Sequence, residues 1–204
     1  MAELTLRQAR FDEAGQVAHL LARSFIDDPY PVALLGRGPG TLQRLERLLK
    51  LQLETGHLRQ GLVDVALDGD QLAGAAVWSA PHHDQGSTLT RLRSVPAHLR
   101  ILGPRIGKAA WLEVQSIRNH PRFPHWYLYL LGVNPAQRGR GVGGRLLEHR
   151  LAQLPQDDPV YLEATTSGSA RLYARHGFVE LGPVPLGRRA QMIGMWRPAA
   201  VSRG

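Results

Sequence analysis

The sequence predicts an α/β (α+β) protein whose mixed central sheet is flanked by helices. Two apolar runs at residues 62–67 and 72–78 are separated by a Gly-containing turn, which is typical of an antiparallel hairpin. Residues 125–164 follow the order strand, Gly-rich loop, helix and strand, and this order predicts a parallel strand pair. Residues 178–181 and 191–197 indicate a further antiparallel pair near the end of the chain.

The first half of the chain should supply one strand and two helices before the hairpin. Residues 3–9 alternate between apolar and polar side chains and predict the first strand. Asp12 is expected to cap a helix that ends at residues 27–31, where prolines prevent continuation. Residues 41–55 predict a second amphipathic helix, closed by Gly56.

The second half contains the parallel pair and the helices around it. Residues 125–133 predict a central strand that is apolar on both faces, as expected for a buried position. The strand at residues 160–164 should run parallel to it. The further helices are expected at residues 96–101, 104–117, 141–154 and 169–175, the last closed by Gly177.

The composition indicates one globular domain over residues 1–204. An apolar content of 43% and a charged content of 21% argue against a disordered or fibrous chain. The chain has no cysteine, which excludes disulfides, thiolate metal sites and an acyl-cysteine intermediate. No apolar stretch approaches the roughly 20 residues of a membrane span, and the N-terminus does not resemble a signal peptide. A cytoplasmic protein without a membrane partner is therefore expected.

The net charge of +8 is compatible with nucleic acid, an anionic surface or a polyanionic small molecule as partner. Basic residues form no run longer than Arg188-Arg189, and no nucleic-acid motif is present, so no nucleic-acid partner is expected. His82, His83 and Asp84 suggest a metal site, but they lack a further ligand at useful spacing. A solvated loop without metal is predicted there.

A basic, Gly-rich loop at residues 138–144 follows the central strand and precedes a helix. Glycines let backbone N–H groups approach a ligand closely, and a helix N-terminus adds the positive end of its dipole. Arg138 and Arg140 bring two permanent cations to the same place. These features predict a site for a phosphate-bearing ligand.

Two well-known phosphate-binding motifs compete for this loop. A P-loop requires a lysine after its glycines, and none follows here, so this motif is excluded. Gly139-x-Gly141-x-x-Gly144 fits the dinucleotide-binding fingerprint literally, and Glu163 lies about 20 residues further on, where that motif has an acid. Residues 134–138 separate the strand from the first glycine, which argues against the fingerprint. A dinucleotide-binding oxidoreductase remains an alternative.

The loop is similar to the acyl-CoA loop of the GNAT acyltransferase superfamily, written Gln/Arg-x-x-Gly-x-Gly/Ala, which residues 138–143 satisfy. Residues 133–135 match the Val-x-Pro that precedes it, and residues 172–178 resemble the family's Leu-Tyr-x-x-x-Gly-Phe. Residues 24–29 and 77–81 resemble the branch that contains puromycin N-acetyltransferase. The asparagine that many relatives carry at the start of the tyrosine helix is absent.

The resemblance implies the GNAT fold and an acetyl-CoA-dependent N-acetyltransferase that transfers an acetyl group to a primary amine of a small molecule or peptide. Its strands around the loop should splay, so that a backbone N–H near Leu131 faces the thioester oxygen. The residues expected to bind acetyl-CoA, as co-substrate, are Leu131, Gly132, Val133, Arg138, Gly139, Arg140, Gly141, Val142, Gly143, Gly144 and Ser169.

Tyr173 and Glu163 are the expected catalytic pair. A phenol with its usual pKa of about 10 is protonated at neutral pH and can give a proton to the leaving sulfur. Glu163 ends a buried strand, so its pKa should be raised and it can take the proton of the amine. Pairing of Glu163 with Arg171 is the structural alternative, and His125 is the alternative base.

Asp27, Asp28, Tyr30 and Trp78 are expected to hold a cationic amine by charge and by ring face. Three alternatives to this enzyme stay open besides the oxidoreductase: a longer acyl donor, a protein acceptor, and a module that binds acyl-CoA without turnover. A homodimer is a candidate assembly.

Overall fold

The computed structural model describes residues 4–81, 88–185 and 191–199. Seven strands within these ranges form one sheet in the order β1-β2-β3-β4-β5-β7-β6. Only the β4–β5 pair is parallel, which confirms the predicted mixed sheet with its antiparallel hairpin. The strands are β1 Thr5–Gln8, β2 Val63–Asp68, β3 Gln71–Ser79, β4 Trp126–Val133, β5 Val160–Ala164, β6 Val179–Pro185 and β7 Gln191–Arg197.

Seven α-helices flank the sheet in the described part of the chain. They are α1 Ala14–Phe25, α2 Pro29–Leu35, α3 Thr41–Thr55, α4 Thr88–Leu102, α5 Ile106–Asn119, α6 Val142–Leu151 and α7 Ser167–Ala174. The predictions for α3 and for the segment before β4 agree with these bounds, except that α4 begins before Pro96 and continues through it.

Two predictions near the N-terminus are wrong. Asp12 does not cap a helix; it lies within a 3-10 turn, because Glu13 accepts a hydrogen bond from the Arg10 N–H at 2.7 Å and also pairs with Arg7. The first helix ends at Phe25, before the prolines as predicted, but three helices instead of two precede the hairpin, because Pro29 begins α2. Proline suits this position because the first helical N–H has no partner within the helix.

Two apolar cores cover the faces of the sheet. One core packs α1, α2, α3 and parts of α4 and α5 against one face, and the other packs α6 and α7 against the opposite face. Within the second layer, Arg150 of α6 makes two hydrogen bonds of 2.7 Å to the fully buried Asp64 of β2. No helix within the described ranges is long and apolar enough to cross a membrane. The predicted loop at His82, His83 and Asp84 lies outside the described residues.

Candidate active site

The parallel pair at the centre of the sheet separates soon after it begins. β4 pairs with β5 over three residues only, from Trp126 to Leu128, whereas its pairing with β3 continues to Val133. The edge of β4 that faces β5 therefore has no strand partner beyond Leu128. This confirms the predicted splay.

Alternation along β4 decides which backbone groups face this opening. The Asn134 N–H donates to the Ala73 carbonyl of β3 at 2.8 Å. Because consecutive residues of an antiparallel strand alternate in direction, Leu131 and Val133 turn their N–H and C=O groups to the open side, whereas Gly132 faces β3. The Val133 carbonyl already accepts a hydrogen bond of 3.0 Å from the Ser24 hydroxyl. The backbone of Leu131 and the N–H of Val133 therefore face the open side.

Gly132 has a different role from the predicted backbone contact with a ligand. A Cβ added at this position would lie 2.7 Å from Cδ2 of Leu21 and 3.2 Å from the Ser24 side chain. A contact below 3 Å forces a shift, so glycine is needed here for the close approach of α1 to β4.

A β-bulge in β4 turns the side chain of Tyr129 to the α1–α3 side of the sheet, next to the opening. Val77 of β3 is opposite Leu130, but Trp78 is opposite Leu128, so Tyr129 is an extra residue without a partner. Tyr129 and Leu130 consequently both pack on the α1–α3 side of the sheet. The bulge re-orients the strand next to the opening.

The Gly-rich loop at residues 138–144 leaves free space before α6. Gly139 and Gly141 both have φ of +78°, and a Cβ added at either would meet nothing within 4 Å. Backbone conformation, not lack of room, therefore requires these two glycines. Gly141 is the N-cap of α6 and gives no side-chain cap, so the first N–H groups of that helix, from Val142 onwards, remain available.

Gly143 and Gly144 lie in the first turn of α6, where they pack toward α7 and β4. A Cβ at Gly143 would lie 3.5 Å from side-chain atoms of Leu172 and Val133, and one at Gly144 would lie 3.5 Å from His176. Both positions face α7 or β4 at ordinary contact distance. Small residues here keep α6 close to the strand that precedes the loop.

The two arginines of the loop are not equivalent. Arg140 forms an ion pair of 3.0 Å with Asp68 at the β2–β3 turn and also binds Gln137, so its charge is partly neutralised. Arg138 donates a long hydrogen bond of 3.4 Å to the Ser24 carbonyl and forms no ion pair with a described residue. Of the two predicted cations, Arg138 thus has no ion-pair partner among the described residues, whereas Arg140 is paired with Asp68.

A cavity of about 750 Å³ lies beside the opening, between β4, β5 and α7 on one side and α2 to α5 on the other. Glu163 and Tyr173 both line it, as do Leu131 and Ser169. These four predicted site residues thus line one cavity. We call it the central cavity.

Glu163 is a buried carboxylate with a hydroxyl partner. Its side chain is 7% exposed, and its Oε1 accepts a hydrogen bond of 3.1 Å from the Tyr161 hydroxyl. Burial raises the pKa of Glu163, and the hydrogen bond from Tyr161 opposes this shift. The alternative pairing with Arg171 is not formed. Glu163 can therefore act as a proton acceptor at the cavity surface.

His120 is a cavity residue that sequence reasoning missed. Its Nε2 is buried without a hydrogen bond partner and lies 3.9 Å from Oε1 of Glu163. Burial, assisted by nearby His125, lowers the pKa of His120 to about 4, so the ring is neutral at pH 7. It therefore gives Glu163 no charge partner. Nothing in the local pattern after α5 distinguishes this histidine.

Tyr173 is held by a well-capped short helix. Burial and the nearby Asp28 carboxylate both raise the pKa of Tyr173, so its hydroxyl stays protonated at neutral pH. The ring lies 5.9 Å from that of Phe178, and Gly177, with φ of +85°, provides the turn between them. At the other end of α7, Thr166 and Ser169 form a reciprocal capping box. The Ser169 hydroxyl is thus engaged in capping, although the residue lines the cavity.

The predicted acceptor residues divide into two groups. Asp28 and Tyr30 line the central cavity, and Asp28 accepts a hydrogen bond of 2.6 Å from the Thr165 hydroxyl. Asp27 is exposed and does not line it. Trp78 is 0% exposed and packs in the core beneath α6, because it points to the opposite face of the sheet together with Leu128. The assignments of Asp27 and Trp78 to the acceptor site are therefore corrected.

His125, the alternative base, does not line the cavity. Its Nδ1 lies 2.5 Å from the Phe123 carbonyl, and its ring is 5.6 Å from that of Trp196. Burial lowers its pKa. Glu163 is accordingly better placed than His125 to receive a proton from a bound molecule.

The splay, the loop and the central cavity define an acyltransferase architecture of the GNAT type, and comparison with known proteins agrees. The family model of the acetyltransferase (GNAT) domain matches residues 103–180. These residues run from the turn before α5 into β6 and include the loop, Glu163 and Tyr173.

Similar proteins extend this likeness over the whole chain. A solved structure from Corynebacterium glutamicum, described as histone acetyltransferase HPA2 and related acetyltransferase, is 31% identical with a TM-score of 0.79 and covers 100% of both chains. An uncharacterised N-acetyltransferase of Schizosaccharomyces pombe is 27% identical over 87% of this chain and 75% of its own. The chain belongs to the GNAT acetyltransferase family. The resemblance to the puromycin N-acetyltransferase branch stays a prediction.

One further relative matches in part. The mycothiol acetyltransferase of Jonesia denitrificans is 32% identical over 104 residues, which make up 49% of this chain. The matched segment spans about a third, 33%, of that relative's own length.

Proposed function

We propose that this protein is an acetyl-CoA-dependent N-acetyltransferase in which a primary amine attacks the thioester directly while both substrates are bound. One observation carries the proposal: Glu163 and Tyr173 line the same cavity, and that cavity includes Leu131 at the unpaired edge of β4. A proton acceptor, a proton donor and an open backbone edge are the groups that this transfer needs.

The residues present fit an acyl-CoA. The open space at Gly139 and Gly141, with the uncapped start of α6, suits a pyrophosphate, and Arg138 adds a charge without an ion-pair partner in the described chain. The backbone of Leu131 can pair with the amide groups of pantetheine, as an added strand would. Acetyl-CoA would supply the acetyl thioester. The choice of acetyl as the acyl group follows from the family.

The two ionisable groups divide the proton transfers between them. Glu163 takes a proton from the bound ammonium group, and its raised pKa brings it closer to neutral pH, where such transfer is efficient. Tyr173 keeps its proton at neutral pH and gives it to the sulfur as the carbon–sulfur bond breaks, and the resulting phenolate takes the surplus proton of the newly acylated nitrogen. The backbone N–H of Leu131 donates to the carbonyl oxygen on which charge develops.

Thiol release tests the proposal. The protein is mixed with acetyl-CoA and a panel of primary amines, and free thiol is measured with a thiol-reactive dye. Because the chain contains no cysteine, the dye reacts only with released CoA. We expect release that depends on both the enzyme and the amine. Binding of acetyl-CoA without release from any amine would instead favour a non-catalytic acyl-CoA-binding module.

A further inference from the structure

We infer that the acceptor is an arylalkylamine-like molecule, with a primary amine, a flat apolar body and no carboxylate. This inference rests on the proposed function and specifies the acceptor for the same cavity. Two independent features carry it: a row of aromatic rings along β4 and the sign of the charges that line the cavity.

The aromatic row follows the face of β4 that the bulge exposes. The His57 and Tyr129 rings are stacked at 5.4 Å with an angle of 13° between them, and Tyr127 lies 6.0 Å beyond Tyr129. His120 then meets Tyr127 edge to face at 4.5 Å. All four rings line the central cavity. Flat apolar groups pack favourably against such a wall, and a cation is attracted to the face of a tyrosine ring.

The wall opposite the rings is mostly aliphatic. It is lined by Leu34 of α2, Leu45 and Leu49 of α3, Leu102 of α4 and Ile106 of α5, and polar side chains from the same helices (Gln52, Thr55, Ser94 and His98) also line the cavity. Hydroxyl groups of a sugar-like amine that lie against the aliphatic side chains would lose their water without replacement, which is unfavourable. An apolar body between the two walls avoids this loss.

The charged residues that line the cavity are acidic. Asp28, Glu113 and Glu163 line it, whereas none of its described lining residues is lysine or arginine. The overall composition does not explain this acidic lining, because the chain as a whole has more basic residues (25) than acidic ones (17). Burial raises the pKa of Asp28, and the hydrogen bond from Thr165 and the charge of nearby Arg138 oppose this shift. Glu113 and Glu163 form no ion pair with a lysine or arginine of the described chain.

This charge pattern discriminates between amines and amino acids. An ammonium group gains from the carboxylates, whereas a carboxylate on the acceptor would be placed near like charges, with no lysine or arginine among the described lining residues to receive it. Phenethylamine and phenylalanine share the same ring and primary amine and differ by the carboxylate. They are therefore a matched pair, and phenylalanine amide adds a neutral polar control.

The experiment compares kcat/KM for phenethylamine, phenylalanine amide, phenylalanine and glucosamine, measured by thiol release at saturating acetyl-CoA. We expect kcat/KM for phenethylamine to exceed that for phenylalanine by at least about 10²-fold, since a like charge placed in a binding site weakens binding by about that factor or more. Phenylalanine amide should fall between them, and glucosamine should be poor. Glu113→Gln should raise kcat/KM for phenylalanine several-fold and change that for phenethylamine much less.

The outcomes separate this inference from the proposed function. If phenylalanine or glucosamine reacts as well as phenethylamine, the acceptor inference is overturned and the acetyltransferase proposal stands. If no amine in the panel releases thiol although acetyl-CoA binds, the proposed function itself fails. Equal effects of Glu113→Gln on phenethylamine and phenylalanine would remove the charge argument.

Discussion

The Gly-rich loop and the central cavity are neighbouring regions that offer different kinds of contact. The loop presents backbone N–H groups in a fixed conformation, with both Gly139 and Gly141 at φ of +78°. The cavity presents side chains from β4, β5 and six helices, including Glu163, Tyr173 and the aromatic row. A backbone site depends on conformation, whereas a side-chain site depends on chemical groups. We therefore expect substitutions in the loop to change donor affinity and substitutions in the cavity to change turnover.

The largest effect on turnover is expected from Tyr173→Phe. The change keeps the ring against Phe178 and removes only the proton that the proposal gives to the leaving sulfur. We expect kcat to fall by roughly 10²–10⁴-fold, the usual contribution of a general acid. Acetyl-CoA affinity and the melting temperature should change little, as measured by calorimetry and thermal unfolding. Wild-type kcat in this variant would leave Tyr173 with a packing role only.

Glu163→Gln should lower kcat by about 10²-fold and remove the acidic limb of the pH–rate profile. A base must be deprotonated, so activity of the native enzyme should fall as pH drops through the pKa of Glu163, which burial places above its ordinary value. An acidic limb that persists in the variant would assign the proton transfer to another group.

Stability provides a second readout for Glu163. A carboxyl whose pKa is higher in the folded than in the unfolded state opposes folding when it is ionised, and this cost disappears as pH falls below its unfolded pKa. At neutral pH, Glu163→Gln removes the buried charge and can still accept the hydrogen bond from Tyr161. We expect the free energy of unfolding to stay equal or rise. A clear loss of stability would indicate a structural role for the carboxylate.

Gly141→Val tests the loop, and Gly40→Val is its matched control. Both glycines are N-caps in the left-handed region, with φ of +78° and +77°, and neither has an atom within 4 Å of an added Cβ. The backbone strain, about 1–3 kcal/mol, should therefore be similar in the two variants. We expect acetyl-CoA affinity to fall about 10–10²-fold only in Gly141→Val, through the loss of hydrogen bonds to a charged group. Equal affinity in the two folded variants would contradict the loop assignment.

The smallest effects should come from the two arginines of the loop. Arg138→Ala should weaken acetyl-CoA binding several-fold, because Arg138 has no described ion-pair partner, whereas Arg140→Ala should have less effect because Asp68 already pairs with Arg140. Isothermal titration calorimetry at two salt concentrations compares the acetyl-CoA affinities of the two variants. The reverse order of effects would mean that Arg140 leaves Asp68 when the ligand binds.

Local patterns made much of this site predictable. The loop depends on a short segment in which positive φ requires Gly139 and Gly141. The splay and the choice of Glu163 and Tyr173 came with the family motifs in the neighbouring segments. These features could be predicted from the residues together with the resemblance they carry.

Other features depend on pairing between distant segments. Trp78 points away from the cavity because Val77 packs on the face of β3 toward α1 and α3 and its neighbour Trp78 on the face toward α6, and helices from distant segments decide which face lines the cavity. Arg140 is neutralised by Asp68, which is 72 residues earlier in the chain. The part of the cavity wall formed by α4 and α5, which brings in Glu113 and His120, depends on how these helices pack against the sheet. The spacing of apolar residues in the sequence predicts the helices but not this packing.

The central claim is direct transfer within one cavity, and initial-velocity kinetics test it most directly. Acetyl-CoA is varied at several fixed concentrations of a primary amine, and denatured protein is assayed for retained acetyl label after exposure to acetyl-CoA alone. With Glu163 and Tyr173 acting on two substrates that are bound together, double-reciprocal lines should intersect and no label should be retained. Parallel lines with label covalently bound to the protein would contradict the account.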